Sequence, residues 1–194
     1  MSRRAVALIA ILVAVTAAVA IVWARMTRSQ AAKPAPVAAA KPAAAPVAER
    51  KITATLYFVS DDGLALVGMQ REVPFGEPVL EQARRIVEAQ LQQPPPPLAS
   101  AVPIGTTLRA LYITDKAEAF VDLSGEARTK HTGGALDELF TIYAVVNALT
   151  VNLPAIERVQ ILLDGKEVDT LAGHVDLRHP LQKNLKWVRS DKDS

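Results

Sequence analysis

The sequence predicts an α+β domain with a mainly antiparallel sheet, two packed helices and the element order ββαββαββ. Three observations support this prediction. Segments of period-two alternation occur in neighbouring pairs, turn-forming residues separate the members of each pair, and a stretch of helical periodicity follows each of the first two pairs. We expect this domain at residues 51–180 of the 194-residue chain, after an apolar helix (1–28) and an Ala/Pro-rich linker (29–50), and before a polar tail (181–194).

The first unit is a hairpin followed by a helix. Apolar and polar side chains alternate over residues 52–59, turn chemistry follows in Ser60-Asp61-Asp62-Gly63, and residues 64–73 form the returning strand. Pro78 occupies a natural first helical position, and the proline run at 94–97 ends the helix. Four apolar residues follow Pro78 at helical spacing on one stripe: Leu80, Ala83, Val87 and Leu91.

The second unit repeats this layout. Residues 107–114 and 117–123 flank a short Asp115-Lys116 turn and predict a second strand pair. Gly133 and Gly134 then lead into an apolar helix over residues 135–151. Since its apolar residues occupy more than one face, we expect this helix to be buried on much of its circumference.

A third strand pair closes the predicted domain. Residues 157–163 form a strand that turns back at Asp164-Gly165, and a weaker extended piece is expected at residues 174–177. Neighbouring hairpins that are each followed by a helix favour antiparallel pairing, with the helices packed on the sheet.

The N-terminal segment predicts a single transmembrane helix. Residues from Ala5 to Trp23 form an uncharged run, and 19 helical residues span about 28 Å, close to the hydrocarbon thickness of a bilayer. A cleaved signal peptide is the alternative, because Ala18-Val19-Ala20 resembles a cleavage site. The apolar run continues past this point to an interfacial Trp, which favours an anchor. Arginines flank both ends, so charge alone does not fix the orientation.

The linker and the charge distribution separate anchor from domain. Prolines spaced through residues 29–50 favour extended polyproline II, which could hold the domain up to about 65 Å from the membrane. Residues 1–50 carry seven Lys or Arg and one acidic residue, whereas residues 51–194 carry 15 basic and 19 acidic residues. The high pI therefore belongs to the anchor and linker, and a mildly acidic domain argues against nucleic acid as a partner.

Catalytic and metal-binding patterns are weak in this sequence. It contains no Cys, which removes thiol chemistry, disulfides and zinc-thiolate sites. Asp122, Ser124 and His131 could be assembled into a nucleophilic site, but Val-Asp-Leu-Ser-Gly is not a nucleophile elbow, and the first two residues are better explained as a turn. His174, Asp176 and His179 could hold a divalent metal, although their Gly- and Pro-containing segment is a poor scaffold for one. No cofactor is expected.

Three other residues are candidates for a ligand or structural role. Gly133 and Gly134 could present backbone N–H groups to an anion, but no lysine of the P-loop type follows them. Asn147 is a polar residue in an apolar helix, where an unpartnered amide would cost a few kcal/mol. A hydrogen bond to a neighbouring loop is the simpler interpretation, with a ligand contact as the alternative.

Several short motifs of this sequence together resemble the GerMN domain of sporulation and spore-germination envelope proteins. The resemblance extends over about residues 50–168, and it includes the candidate residues Asp122, Ser124, Gly133, Gly134, Asn147, Asp164 and Gly165. The matching motifs are residues 52–58 with Asp61 and Gly63, Arg71-Glu72-Val73-Pro74, Pro103-x-Gly105-Thr106, residues 119–124, Gly133-Gly134, residues 145–150 and residues 159–165.

The resemblance implies a non-enzymatic extracytoplasmic module that is related to the ring-building motifs of envelope complexes. It also implies an orientation, with the N terminus in the cytoplasm and the domain in the periplasm or outside a bacterial inner membrane. The chain departs from some members because an apolar helix stands where they carry a lipidated cysteine, and because it holds a single copy of the domain.

These observations lead to one main hypothesis and two rivals. The main hypothesis is a membrane-anchored binding or scaffold module for an envelope protein or peptidoglycan. The rivals are an envelope hydrolase that uses Ser124 or the segment containing His174 and His179, and a homo-oligomeric ring component.

Overall fold

The computed structural model describes residues 50–189. The predicted anchor, nearly all of the predicted linker and the last five residues lie outside this range, so the predicted span at residues 5–23 stays a prediction. Within residues 50–189, no helix combines the length and the apolar character needed to cross a bilayer. The helices are α1 (Val79–Gln90), α2 (Glu126–Thr129) and α3 (Ala135–Asn152); the strands are β1 (Lys51–Val59), β2 (Leu66–Pro74), β3 (Leu108–Ile113), β4 (Glu118–Leu123), β5 (Arg158–Leu163), β6 (Lys166–Glu167) and β7 (Leu181–Gln182).

The first hairpin forms where the alternation and the turn residues predict it. β1 and β2 pair in antiparallel register from Lys51 with Pro74 to Val59 with Leu66. In the turn, the Ser60 hydroxyl donates to the Asp62 carboxylate over 2.6 Å, and the Ala65 N–H donates to the Ser60 hydroxyl oxygen over 3.1 Å. Gly63 has φ +73°, a conformation that L side chains rarely adopt. Local side-chain chemistry therefore closes this hairpin.

The structure corrects the expectation of one sheet. β1 and β2 form a sheet of their own, while β3, β4, β5 and β6 form a second sheet in that order, with β7 also paired to β5. β4 and β5 are parallel, whereas the other pairings between these strands are antiparallel. The parallel pair arises because α3 crosses back between β4 and β5, which returns the chain to the same end of the sheet.

Helix α3 forms the centre of the core. From Phe140 to Thr150 every residue except Tyr143 is buried, as its apolar residues on several faces predict. The helix packs against β1, α1 and β5, so it lies against strands of both sheets. Its fully buried Phe140 and Leu149 belong to one core with Leu56 and Phe58 of β1.

Two amide side chains cover the edge of β1 that faces away from β2. Gln90 at the end of α1 accepts a hydrogen bond from the Tyr57 N–H over 2.8 Å and donates to the Tyr57 C=O over 2.7 Å. Asn152 at the end of α3 binds both backbone groups of Thr55 in the same way, each over 2.8 Å. Since these bonds replace those of a neighbouring strand, β1 ends its sheet at this edge.

The C-terminal residues differ from the expectation at two places. Residues 174–177 form no strand, and the strand pairing with the start of β5 lies instead at Leu181–Gln182. Farther on, the Leu66 N–H donates to the Trp187 C=O over 2.8 Å, and the Arg189 N–H donates to the Leu66 C=O over 2.7 Å. Residues 181–189 were predicted as the start of a polar tail, but their backbone groups extend both sheets. Residues 181–182 pair with β5, and residues 187–189 bond to Leu66 of β2.

Candidate functional site

Four of the predicted site residues meet at the carboxyl ends of β4 and β5. Asp122 and Ser124 lie at the end of β4, and Asp164 and Gly165 follow β5. The Gly165 N–H donates to Asp122 Oδ1 over 2.7 Å, and the Asp164 N–H donates to the Leu123 C=O over 3.0 Å. The parallel register brings the two ends together, a relation that the sequence pattern did not predict.

Arg109 of β3 completes a charged group that we name the carboxylate cluster: Arg109, Asp122 and Asp164. One guanidinium nitrogen lies 3.3 Å from Asp122 Oδ2 and 3.5 Å from Asp164 Oδ1. Asp122 is nearly buried, with 5% of its surface exposed, so this cation offsets a carboxylate that has little access to water. Sequence reasoning did not identify Arg109, because nothing local to β3 indicates which carboxylates its side chain will meet.

The turn after β5 explains the Asp-Gly pair. Asp164 has φ +50° and Gly165 has φ +77°, the two positive angles of the tight turn that Asp-Gly favours between antiparallel strands. Asp164 Oδ1 accepts the Gly125 N–H over 3.1 Å. A Cβ at Gly125 would lie only 2.5 Å from Asp164 Oδ2, so the absence of a side chain at Gly125 permits this approach.

Ser124 bonds to the chain entering β3. Its N–H donates to the Thr107 C=O over 3.0 Å, and its hydroxyl oxygen accepts the Thr107 N–H over 3.0 Å. A hydrogen bond from the Ser124 hydroxyl is the first cause of the lowered pKa of Glu126. These bonds give Ser124 the turn-closing contacts that the sequence favoured over a nucleophilic role.

His131 bonds to Gly133 and Thr141, not to Ser124. Its Nδ1 accepts the Gly133 N–H over 2.9 Å, and its Nε2 lies 3.3 Å from the Thr141 hydroxyl. Gly133 and Gly134, with φ +86° and +91°, form the turn into α3. Among the described residues, Asp122, Ser124 and His131 make no hydrogen bond with one another, so they do not form a relay.

Glu138 is a buried, extensively hydrogen-bonded carboxylate that the sequence analysis did not identify. It is fully buried, and its two carboxylate oxygens accept the N–H groups of Leu171, Ala172 and His174 over 2.7 to 2.8 Å. His174 Nδ1 also lies 3.0 Å from Oε2. Burial raises the pKa of the Glu138 carboxyl, but the backbone donors and His174 outweigh burial and bring the pKa below its usual value. Its partners lie over 30 residues away, beyond any local signal.

Asp176, the carboxylate of the predicted metal-binding group, bonds to Arg178 and not to His174. Both oxygens of Asp176 accept hydrogen bonds from the Arg178 side chain, over 2.9 and 2.7 Å, and this contact lowers the pKa of Asp176. Within residues 50–189, no group of three or more His, Cys, Asp or Glu side chains has an arrangement suited to a metal ion.

Asn147 uses both the nitrogen and the oxygen of its amide group within the protein. Fully buried on α3, it donates from Nδ2 to the Asn184 C=O over 2.8 Å and accepts the Asn184 N–H at Oδ1 over 2.9 Å. The side chain therefore attaches the C-terminal segment to the core, which is the structural alternative that the sequence analysis preferred.

A groove of about 620 Å³ lies beside the start of α3. We name it the His131 groove; its lining includes Ile104, Lys130, His131, Asp137 and Phe140. Ile104 is 72% exposed. The groove thus combines an apolar wall with one basic and one acidic side chain, a surface suited to a ligand with both apolar and charged or hydroxyl groups.

Comparisons with known proteins agree on the type of domain. A family model described as "Germane: Sporulation and spore germination" matches residues 55–169, more than half of the chain. No curated protein matches the chain.

Two solved structures share the fold. The tandem GerMN domains of the sporulation protein GerM from Bacillus subtilis align with a TM-score of 0.54 and 21% identity, covering 70% of this chain and 46% of that one. This chain thus spans about half the length of that tandem structure. The first GerMN domain of the same protein aligns with a TM-score of 0.51 and 19% identity, covering 69% of this chain and 96% of that one.

Proposed function

Because the chain belongs to the Germane family of sporulation and spore germination, we propose that it is a membrane-anchored, extracytoplasmic binding or scaffold module of the bacterial cell envelope. In this proposal the segment Ala5 to Trp23 anchors the chain in the inner membrane, and the domain reaches an envelope protein or peptidoglycan on the far side. The module acts without catalysis and without a cofactor.

One observation carries this proposal: the polar residues that could have formed a reactive centre are engaged in bonds that shape the fold. Asp122 binds the Gly165 N–H, Ser124 binds Thr107, and Asn147 binds Asn184. Reactive side chains in enzymes instead converge on a shared cleft where a substrate can reach them. A domain whose polar groups hold its own loops is better suited to present a fixed surface than to perform a reaction.

The His131 groove is the surface that best fits a partner. Ile104 provides an exposed apolar contact, and Lys130 with Asp137 provides one charge of each sign. Binding sites commonly combine apolar walls with a few placed polar groups. The groove would accept a peptide segment of an envelope protein or a glycan-peptide chain of peptidoglycan.

The test is retention of envelope components on the purified full-length chain. Immobilised chain is incubated with envelope extract and, separately, with purified peptidoglycan, and the retained material is quantified. We expect Ile104→Asp to reduce retention about tenfold, the size expected for loss of a central apolar contact. Leu64→Asp is the matched control, because Leu64 is 68% exposed but does not line this groove. Failure of the unmodified chain to retain any component would overturn the proposal.

A further inference from the structure

Three large apolar side chains are exposed at the turn end of the first hairpin. Leu64 in the turn between β1 and β2 is 68% exposed, and Leu185 and Trp187 of the C-terminal segment are 45% and 41% exposed. Single apolar residues scattered over a surface are ordinary, but a group of them marks an interaction site. We name this surface the Trp187 patch: Leu64, Leu185 and Trp187, with the exposed Lys183 and Lys186 beside them.

Hydrogen bonds hold the turn and the C-terminal segment together. The Leu66 N–H donates to the Trp187 C=O over 2.8 Å, and the Arg189 N–H donates to the Leu66 C=O over 2.7 Å. The Arg189 side chain donates to one oxygen of Asp62, and the other oxygen of Asp62 accepts the Leu64 N–H over 3.1 Å. The two segments that carry the patch therefore form one fixed surface.

The charge of this surface differs in sign from that of the domain. The turn and residues 183–189 carry three basic and two acidic residues, whereas residues 51–194 carry 15 basic and 19 acidic residues. Arg189 pairs with both acidic residues, Asp62 and, over 3.7 Å, Asp61. In the described part of the chain, neither lysine of the patch forms an ion pair. The patch therefore complements a negatively charged partner.

The area of the patch argues against a protein as this partner. If each of the three apolar side chains offered about 250 Å², the upper end for a large aromatic residue, the exposed fractions together would give less than about 400 Å². A stable protein interface covers about 800 Å² on each partner. Attachment to a bilayer surface needs only a few apolar side chains with basic residues beside them. Trp is also enriched at the depth of the lipid headgroups.

We propose that the Trp187 patch docks on the surface of a bilayer that contains anionic lipids. The three apolar side chains enter the headgroup region, and Lys183 and Lys186 lie against the lipid phosphates. This contact goes beyond the proposed function, because it uses residues that do not line the His131 groove. The predicted linker is long enough for the domain either to lie on the membrane or to leave it.

The fluorescence of Trp187 tests this contact directly. The chain has two Trp residues, Trp23 and Trp187, so Trp187 is the only reporter in the full-length Trp23→Phe variant. This variant is reconstituted into vesicles of phosphatidylcholine, alone or mixed with phosphatidylglycerol, that contain bromine-labelled lipid as a quencher. We expect a blue shift and strong quenching of Trp187 in the anionic vesicles. Two lysines near an anionic surface should raise the docked-to-free ratio at least about tenfold over phosphatidylcholine alone.

Charge reversal separates docking from the mere presence of vesicles. In the Trp23→Phe background, Lys183→Glu with Lys186→Glu should abolish the difference between the two lipid compositions. The matched control, Lys116→Glu with Lys166→Glu, makes the same charge change at two other exposed lysines and should leave the difference unchanged.

A moved reporter provides a second control. Tyr112 on β3 is 61% exposed, so Tyr112→Trp in a chain with Trp23→Phe and Trp187→Phe reports on a surface outside the patch and should stay unquenched. An unquenched Trp187 in anionic vesicles, equal quenching at position 112, or equal effects of the two charge reversals would overturn the inference. These readouts need no envelope partner. Retention of envelope components with an unquenched Trp187 therefore rejects only the docking, and a quenched Trp187 without retention rejects only the proposed function.

Discussion

Removal of the Glu138 carboxylate should destabilise this fold strongly. Its buried carboxylate accepts four hydrogen bonds from residues 171–174, which hold the loop between β6 and β7 against the start of α3. Glu138→Ala leaves the three backbone N–H groups without their acceptor, and we expect the free energy of unfolding to fall by about 3 kcal/mol. Urea unfolding measures this change. Glu88→Ala, at an exposed position of α1, is the control and should change stability by less than about 0.5 kcal/mol.

The same carboxylate should make stability depend on pH in the acid range. Since folding lowers the pKa of Glu138 below its ordinary value of 4.5, its stabilising contribution is present above that value and is lost as the pH falls through the folded pKa. Glu138→Gln lacks this ionisation. The advantage of the unmodified domain over Glu138→Gln should therefore shrink below about pH 4 in urea unfolding curves. An advantage that stays constant to pH 3 would contradict this assignment.

At the scale of elements, Gln90 is expected to hold β1 against α1. Replacing it by Leu leaves the Tyr57 N–H and C=O buried without partners, which should lower the free energy of unfolding by about 2 kcal/mol. Gln92→Leu is a matched control, because Gln92 has the same amide on an exposed position two residues later. Equal effects of the two substitutions in thermal or urea unfolding would show that the amide does not stabilise this edge.

The C-terminal segment offers a separate prediction. Asn147 fixes this segment through both backbone groups of Asn184, so Asn147→Ala should release residues 181–189 locally and cost about 1 to 2 kcal/mol. Hydrogen exchange with mass spectrometry should show faster exchange in this segment and unchanged exchange in β4. Uniform acceleration over the whole domain would mean that Asn147 acts through the core instead.

The local elements could be predicted from the sequence, but their long-range arrangement could not. Alternation and turn residues are local signals, and they gave β1, β2 and both long helices to within one to three residues. The parallel pairing of β4 with β5 depends on the crossover of α3, which no local pattern encodes. This parallel pairing also determines which candidate site residues meet, since it brings Asp122 within hydrogen-bond distance of Gly165, 43 residues later in the chain. Glu138 and Gln90 were missed for the same reason, because their partners lie far along the chain.

At the scale of the whole molecule, the proposed function combines a predicted N-terminal anchor, a predicted extended linker and one family-typical domain. The described domain has its own core between two sheets, and its own residues line the His131 groove. In the proposed function, the predicted anchor places this groove outside the cytoplasm. The proposed function therefore depends on the compartment of the domain as well as on its fold.

Protease accessibility of the full-length chain in spheroplasts tests whether the domain lies outside the cytoplasm. Added protease should degrade residues 51–194 in intact spheroplasts while a cytoplasmic reporter protein survives, and the chain should sediment with the membrane fraction through alkaline washing. This result would place a membrane-anchored domain outside the cytoplasm. A chain that is protected until the spheroplasts are lysed, or one that alkaline washing releases from the membrane, would contradict the proposed membrane anchor and location.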